Sequence, residues 1–408
     1  MTIKSSDIKG YCHADFDQVR EEFQRNFEEH GEIGASVAIQ IDGETVVDLW
    51  AGTADQNSGR LWQVDTSAVI FSCGKGISSL CLHMLADRGQ LDFEAPVAKY
   101  WPEFAANGKE KVTVAMVMAH QAGLPVWDEP LPDGAMLEWD LVTQRLAEQT
   151  PMWEPGTTHG YHALSHGYLV GEILRRIDGR TIGRFLAEEI AGPLKANAWI
   201  GLPEEEEGNV ATAYFDEPSP TSPMFQKIMN EPDWFGCKLI NNTGGDIDPA
   251  MINSRARHAV EIPAAGAIAT ARGLARIYSV LARDGSVDDI RLLKPTSIAP
   301  MATVRSASDV DLVLRVPTAF TLGYSKQMGH RGLGEGEHVI IGEHAFGHAG
   351  MGGSMGFADP QDRMSFAYVM NRHGSGVGLN NRGQNLVDAA YRSLGYSEAA
   401  TGAWAKRI

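Results

Sequence analysis

Val69-Ile70-Phe71-Ser72-Cys73-Gly74-Lys75 runs straight into a periodic segment, Ile77 to Ala86, and the rest of the chain is read outward from here. The apolar run delivers Ser72 to the start of a helix. Its apolar positions recur at Ile77, Leu80, Cys81, Met84 and Leu85, and Gly89 supplies a stop. On such a helix Ser72 and Lys75 lie on one face, one turn apart, so an amine can reach a hydroxyl. The serine oxygen also sits at the positive end of the helix dipole, where charge developing on oxygen is favoured. Ser-x-x-Lys in this setting reads as a nucleophile–base pair. Another copy, Ser6-Asp7-Ile8-Lys9, lies in a polar segment with no helix signal and has no such reading.

Upstream, Phe16, Val19, Phe23 and Phe27 fall at helical spacing and Gly31 ends that helix. Two alternating runs, Ala35–Ile41 and Thr45–Trp50, meet at Asp42-Gly43, which predicts a tight hairpin. Downstream, a short helix is predicted over Thr113–Met118, leading into the turn His120–Leu124. Further helices are predicted over Ser165–Ile177 and Ile182–Ile190, with Gly179 and Gly192-Pro193 between and after them. The weakly periodic part between Pro203 and Arg257 carries Phe215, Phe225, Met229, Trp234 and Phe235, large apolar side chains suited to lining an acyl or alcohol pocket or to plain packing. Beyond Arg257 come a helix over Ala271–Ala282, strand-like runs at Phe320–Tyr324, Val339–Ile341 and Met364–Met370, and a closing helix over Leu386–Leu394. This order predicts an α+β protein. Residues 1–100 and 258–408 together build a sheet domain, and residues 101–257 form a mostly helical inserted domain.

The 408 residues, 43% of them hydrophobic, suffice for a large core. With 35 basic against 52 acidic residues the formal charge is −17, a surface that repels phosphate backbones, so no nucleic-acid partner is expected. The four cysteines have no metal-type spacing, and Cys73 and Cys81 on one helix point away from a mutual disulfide. With no signal segment and no run of 18 apolar residues, the expectation is a cytoplasmic protein without a membrane partner.

Other stretches carry candidate chemistry. Trp153 to Ala163 is a turn-rich lead-in that presents Tyr161 just before a helix. A phenol beside Lys75 is expected to have its pKa lowered by the ammonium and to trade protons with Ser72. Phe346-Gly347-His348-Ala349-Gly350-Met351-Gly352-Gly353 precedes Ser354–Asp359; so many glycines imply close backbone approach, and the N–H groups there are placed to complete an oxyanion hole with that of Ser72. Gly352-Gly353-Ser354-Met355-Gly356 matches the nucleophile-elbow pattern, but it is followed by Pro360 and a strand rather than a helix, so Ser354 is set aside. Glu337, His338, Glu343, His344 and His348 have no metal-ligand spacing, and no metal or other cofactor is expected.

Ser72-x-x-Lys75, Tyr161 and His348-x-Gly350, in this order and spacing, resemble the serine β-lactamase-like hydrolases, in particular the class C-related esterases called family VIII carboxylesterases. The resemblance covers about residues 10–395. It implies a β-lactamase-like fold, Ser72 as the acylated nucleophile and Lys75 with Tyr161 as the proton-transfer pair. It further implies an oxyanion hole from the backbone N–H groups of Ser72 and Met351. His348, Gly350, Trp127 and Trp234 are the candidate substrate-binding residues. The departures point one way. The lactamase Tyr-x-Asn is replaced by Tyr161-His162-Ala163 and Lys-Thr-Gly by His348-Ala349-Gly350, so a fixed positive charge and an amide are both missing. A small-molecule ester is the expected substrate. β-Lactam turnover is expected to be weak and to increase as His348 gains a proton toward about pH 6. Acyl transfer, D-amino-acid peptidase or amidase activity, weak lactamase activity and non-catalytic binding are the alternatives on this fold.

Overall fold

Asp42 and Gly43 adopt positive φ, 52° and 85°. That is the geometry a two-residue hairpin turn needs, and it folds strand Gly34–Ile41 back onto Glu44–Asp55. The computed structural model describes residues 7–217, 227, 230–246, 248–398 and 403–406; Ser6, Phe225 and Met229 lie outside them. The hairpin joins an antiparallel seven-stranded sheet drawn from both ends of the chain. Across it the order is Lys9–Cys12, Glu44–Asp55, Gly34–Ile41, Met364–Met370, Met355–Asp359, Phe346–Ala349, with Arg60–Leu61 also pairing on Glu44–Asp55.

The two faces of the sheet differ in side-chain size. On one, Val37, Ile39, Phe357, Phe366 and Tyr368 pack against Phe23 and Phe27 of helix Asp17–Glu29 and against Leu386 and Tyr391 of helix Asn381–Ser393. On the other, the register aligns Gly356 with Ala367 and Ala367 with Ala38. This row of small residues lets helix Ala271–Ala282 settle close: a Cβ at Gly356 would lie 2.6 Å from the Tyr278 ring. Enlarging Ala367 to Val would wedge the layers apart, at about 1–3 kcal/mol.

The helices at Trp139–Glu148, Ser165–Asp178 and Ile182–Leu186 share one contiguous cluster of buried side chains with helix Cys73–Asp87, which follows Ser72. Two expected strands differ. Val339–Ile341 is a buried apolar loop with a single bridge from Val339 to Met328, and at Ile340 the Gln384 side-chain amide stands in for a strand, accepting from its N–H and donating to its C=O. The Phe320 strand runs Thr318–Phe320 and stops ahead of Gly323, which turns at φ 89°. The last helix starts at Asn381, earlier than expected, capped by the Asn380 side chain accepting from Gly383 N–H. All four cysteines are free thiols. Among the described residues no helix is long and apolar enough to cross a membrane.

Candidate active site

The short strand Ala68–Val69 pairs with Ile268–Ala269, and Ile70 N–H donates to Ala267 O, which anchors the approach to Ser72. Phe71 then takes φ +43°, a left-handed conformation costly for a residue with a Cβ and held only when its surroundings insist on it. Those surroundings are aromatic. The Phe71 ring stands edge-on to His373, centroids 4.8 Å apart, and His373 stacks on Phe215 at 5.2 Å. The bend leaves Ser72 at the first turn of helix Cys73–Asp87 and half-buried.

Lys75 is fully buried, and burial holds its pKa well below the ordinary lysine value. Its Nζ lies 2.6 Å from Ala163 O, 3.1 Å from Ala264 O and 3.0 Å from Ser72 Oγ. Carbonyl oxygens only accept, so Nζ donates to Ala163 and Ala264; with its pKa depressed by burial, an amine that gives up its third hydrogen here would turn its lone pair to the serine hydroxyl. The loop that carries Ala264 reaches this close because residue 74 is glycine: a Cβ there would lie 2.5 Å from Pro263 O.

Tyr161 is buried; its ring stacks on Phe320 and stands 5.9 Å from that of His348, and its phenol hydrogen-bonds with Ser72. Burial raises the phenol's pKa, with the Ser72 hydrogen bond opposing, which corrects the expectation that an ammonium lowers it. The reason is the phenol's own desolvation, which outweighs the Ser72 hydrogen bond, and the Asp311 carboxylate pushes the same way.

Strand Phe346–Ala349 lies alongside helix Cys73–Asp87, and the Cys73 thiol donates to His348 O at 3.1 Å. At Gly350 the chain touches Ile70, whose carbonyl oxygen a Cβ at 350 would strike. The glycine-rich turn that follows is tied down on all sides. Gly350 N–H donates to Ser354 O, Gly352 N–H to Gly376 O, Gly353 N–H to Gly350 O, and the Asn380 amide to Gly352 O. Among the described residues the N–H groups of Ser72 and Met351 have no acceptor. His348 Nδ1–H donates to Ala349 O at 2.8 Å, which leaves Nε2 an unpartnered acceptor, and burial pushes the imidazole down to about pKa 3. A pKa so low keeps His348 neutral at pH 6 and removes the ground for an acid-side gain in β-lactam turnover.

His162, which stands where the lactamase pattern only spaces its residues, is spent on structure: Nδ1–H donates to Gly160 O and Nε2 accepts from Leu124 N–H. Ser354 is fully buried, followed by strand Met355–Asp359 and not by a helix. Among the described residues no cluster of His, Cys, Asp or Glu is arranged to hold a metal ion.

The two candidate indoles part company. Trp234 lines an apolar cavity of about 70 Å³ with Leu239, Ile240, Val313, Leu314 and Val377, and its Nε1–H donates to Val313 O at 2.8 Å. Val313 in turn packs on Tyr161 and Phe320. Trp127, by contrast, is 1% exposed and edge-on to Tyr168 inside the helical core, so it lines no substrate site. Its apolar surface is satisfied by that packing. Of the other loop aromatics, Phe235 meets Trp153 edge-on and Phe215 backs the His373–Phe71 contact. The Ala163 and Ala264 carbonyls, Phe71 and Asn380 escaped the sequence reading, and only the Pro263–Ala267 run of small residues hints at a close approach.

The chain is similar in sequence and fold to known proteins. The Mycobacterium tuberculosis (strain ATCC 25618 / H37Rv) esterase/beta-lactamase LipL is 35% identical over 353 residues, 83% of this chain and 77% of that protein. The crystal structure of a family VIII carboxylesterase superposes with TM-score 0.83 at 35% identity, covering 95% of this chain and 99% of the other. A penicillin-binding protein homologue from Caulobacter crescentus superposes with TM-score 0.80 at 36% identity, covering 95% and 100%. The beta-lactamase family profile matches residues 19–391, most of the chain, and the chain belongs to that family.

Proposed function

We propose that the protein is a serine esterase that hydrolyses small carboxylic esters through an acyl-enzyme on Ser72, without a metal or organic cofactor. The observation that carries this reading is the buried Lys75 amine, its Nζ 3.0 Å from Ser72 Oγ with the Ala163 and Ala264 carbonyls as its other partners; burial depresses its pKa, which suits it to act as the base. Ser72 Oγ attacks the ester carbonyl carbon as its proton moves to Lys75 Nζ. The N–H groups of Ser72 and Met351 receive the oxyanion. The C–O bond to the alcohol then breaks, and the leaving oxygen takes a proton by way of the Tyr161 hydroxyl, which burial keeps protonated. Water repeats the sequence on the acyl-enzyme and releases the acid. Val313 packs against the Tyr161 ring and offers an apolar neighbour to the site. The relatives named as esterases support the choice of ester, and so does His348, a neutral group where a lactam carboxylate would want a cation.

A fluorophosphonate probe followed by peptide mass spectrometry tests the assignment. The adduct is expected on the peptide containing Ser72, and Ser72→Ala should lower ester kcat by roughly 10³-fold or more. Ser354→Ala should stay within about tenfold of the parent. An adduct on Ser354, or an active Ser72→Ala, would sink the proposal.

A further inference from the structure

Tyr161 lies on a loop, not on a helix or strand, yet its phenol must sit within hydrogen-bonding distance of Ser72. Its own backbone N–H points at a carboxylate. Both oxygens of Asp311 lie 3.1 Å from Tyr161 N. Asp311 is 0% exposed, and among the described residues no lysine or arginine side chain pairs with it. Its charge is met instead by a ring of donors. Oδ1 accepts from Val313 and Leu314 N–H at 2.8 Å, and Oδ2 accepts from the Thr318 hydroxyl at 3.3 Å. His159 Nε2 stands 3.5 Å from Oδ2 and 2.8 Å from the Thr318 oxygen. A buried carboxylate without a cation is costly unless hydrogen bonds satisfy it, so a donor set of this kind is held together tightly. One side chain thereby pins both the root of Tyr161 and the Val313–Leu314 turn that packs against its ring.

We infer that Asp311 is a positioning residue for Tyr161, fixing the phenol where it hands a proton to the departing alkoxide. The inference rests on the reading of Tyr161 as proton donor. It explains why a proton donor is carried on a loop: the rigidity missing from local secondary structure is supplied by a single acceptor that gathers donors from two separate loops.

The test compares two esters of one acid. p-Nitrophenyl butyrate releases a phenolate stable without a proton, whereas ethyl butyrate releases an alkoxide that must be protonated as it leaves. Asn at 311 would turn an NH2 group toward backbone N–H donors and loosen the loop. Asp311→Asn should lower kcat/KM for ethyl butyrate by roughly 10²-fold while the p-nitrophenyl ester loses less than about fivefold. Thr318→Val removes one donor without unfolding a strand residue, and should give a smaller loss, roughly threefold to tenfold, with the same preference for the alkyl ester. Equal losses on both esters, in either variant, would mean that Asp311 merely holds the fold, and would overturn the inference. Tyr161→Phe separates the two layers. If it discriminates between the esters and the Asp311 and Thr318 variants do not, only the positioning role fails. If Tyr161→Phe itself treats both esters alike, the proton-donor reading fails and takes the inference with it.

Discussion

Lys75 Nζ and Ser72 Oγ are 3.0 Å apart across one turn of helix, and the amine's other two directions are closed by main-chain carbonyls. A base so placed works only when uncharged. As pH falls through the depressed pKa of Lys75 the ammonium forms, all three oxygens become acceptors of its hydrogens, and the serine loses its base. Ester kcat/KM should therefore fall on the acid side, well below pH 10, and stay level into mild alkali, because burial raises rather than lowers the Tyr161 phenol. Lys75→Arg, permanently charged, should lose roughly 10³-fold or more in kcat. A rate still climbing toward pH 10.5, as an ordinary ammonium would require, would contradict this placement of the base.

The response to β-lactams should turn on His348. With its imidazole pushed down to about 3 by burial, it brings no cation to a substrate carboxylate near neutral pH. Replacing a charged by a neutral hydrogen bond forgoes on the order of 1 kcal/mol, and the amide missing at Ala163 forgoes a similar amount. Nitrocefin turnover should be slow beside p-nitrophenyl butyrate, roughly 10- to 100-fold below what the serine chemistry would otherwise allow. It should not increase between pH 7.5 and 6. An increase following a midpoint near 6.5 would mean that His348 is solvated and titrates.

Gly350 joins the third-motif strand to the approach to the nucleophile. A Cβ there would collide with Ile70 O, two residues ahead of Ser72, and would push the Met351 N–H away from the oxyanion it is placed to meet. Gly350→Ala should lower kcat by roughly 10²-fold while circular dichroism still reports a folded protein. Activity within about threefold of the parent would show that the Met351 amide contributes little.

Buried neutral histidines make the fold acid-sensitive. His83, on the nucleophile helix, binds Leu322 O through Nε2, and burial lowers its pKa to about 4. An unfolded chain protonates it near pH 6.5, so the unfolded state binds more protons between 6.5 and 4, and stability is lost as pH falls through that window. The loss from this residue alone is about 2 kcal/mol between pH 7 and 5. Urea unfolding of His83→Gln should show that much less acid destabilisation than the parent over the same interval. Identical losses in the two proteins would show that His83 titrates alike folded and unfolded.

How far the sequence reached can be judged from particular residues. Ser72 and Lys75 were legible because a 3.6-residue period places them on one face, and the hairpin because Asp42-Gly43 has few other uses. The protonation states were not. Whether Lys75 is an ammonium depends on burial supplied by residues far along the chain, and the guess that it acidifies Tyr161 failed there. The Ala163 and Ala264 carbonyls are main-chain atoms that leave no mark in residue type. Trp127 and Trp234 look alike as indoles among turns, and only tertiary packing sends one into the core and the other to a cavity wall. Val339–Ile341 has the composition of a strand, but at Ile340 the Gln384 side chain stands in for one.

The sheet's central pairing, Ala35–Ile41 against Met364–Met370, joins segments some three hundred residues apart. A growing chain exposes the first hairpin early and the strand that completes it only near the end of translation. At ordinary ribosomal speed that interval is on the order of tens of seconds. Until then the Gly34–Ile41 edge is open, and the strand that presents Gly350 to the nucleophile helix has not been synthesised. Folding dominated by such distant contacts is slow, and its exposed edge is a natural client for chaperones. The same arrangement splits the candidate site in time: a nascent polypeptide carrying Ser72 and Lys75 lacks His348, Gly350 and Met351 until its last strands arrive.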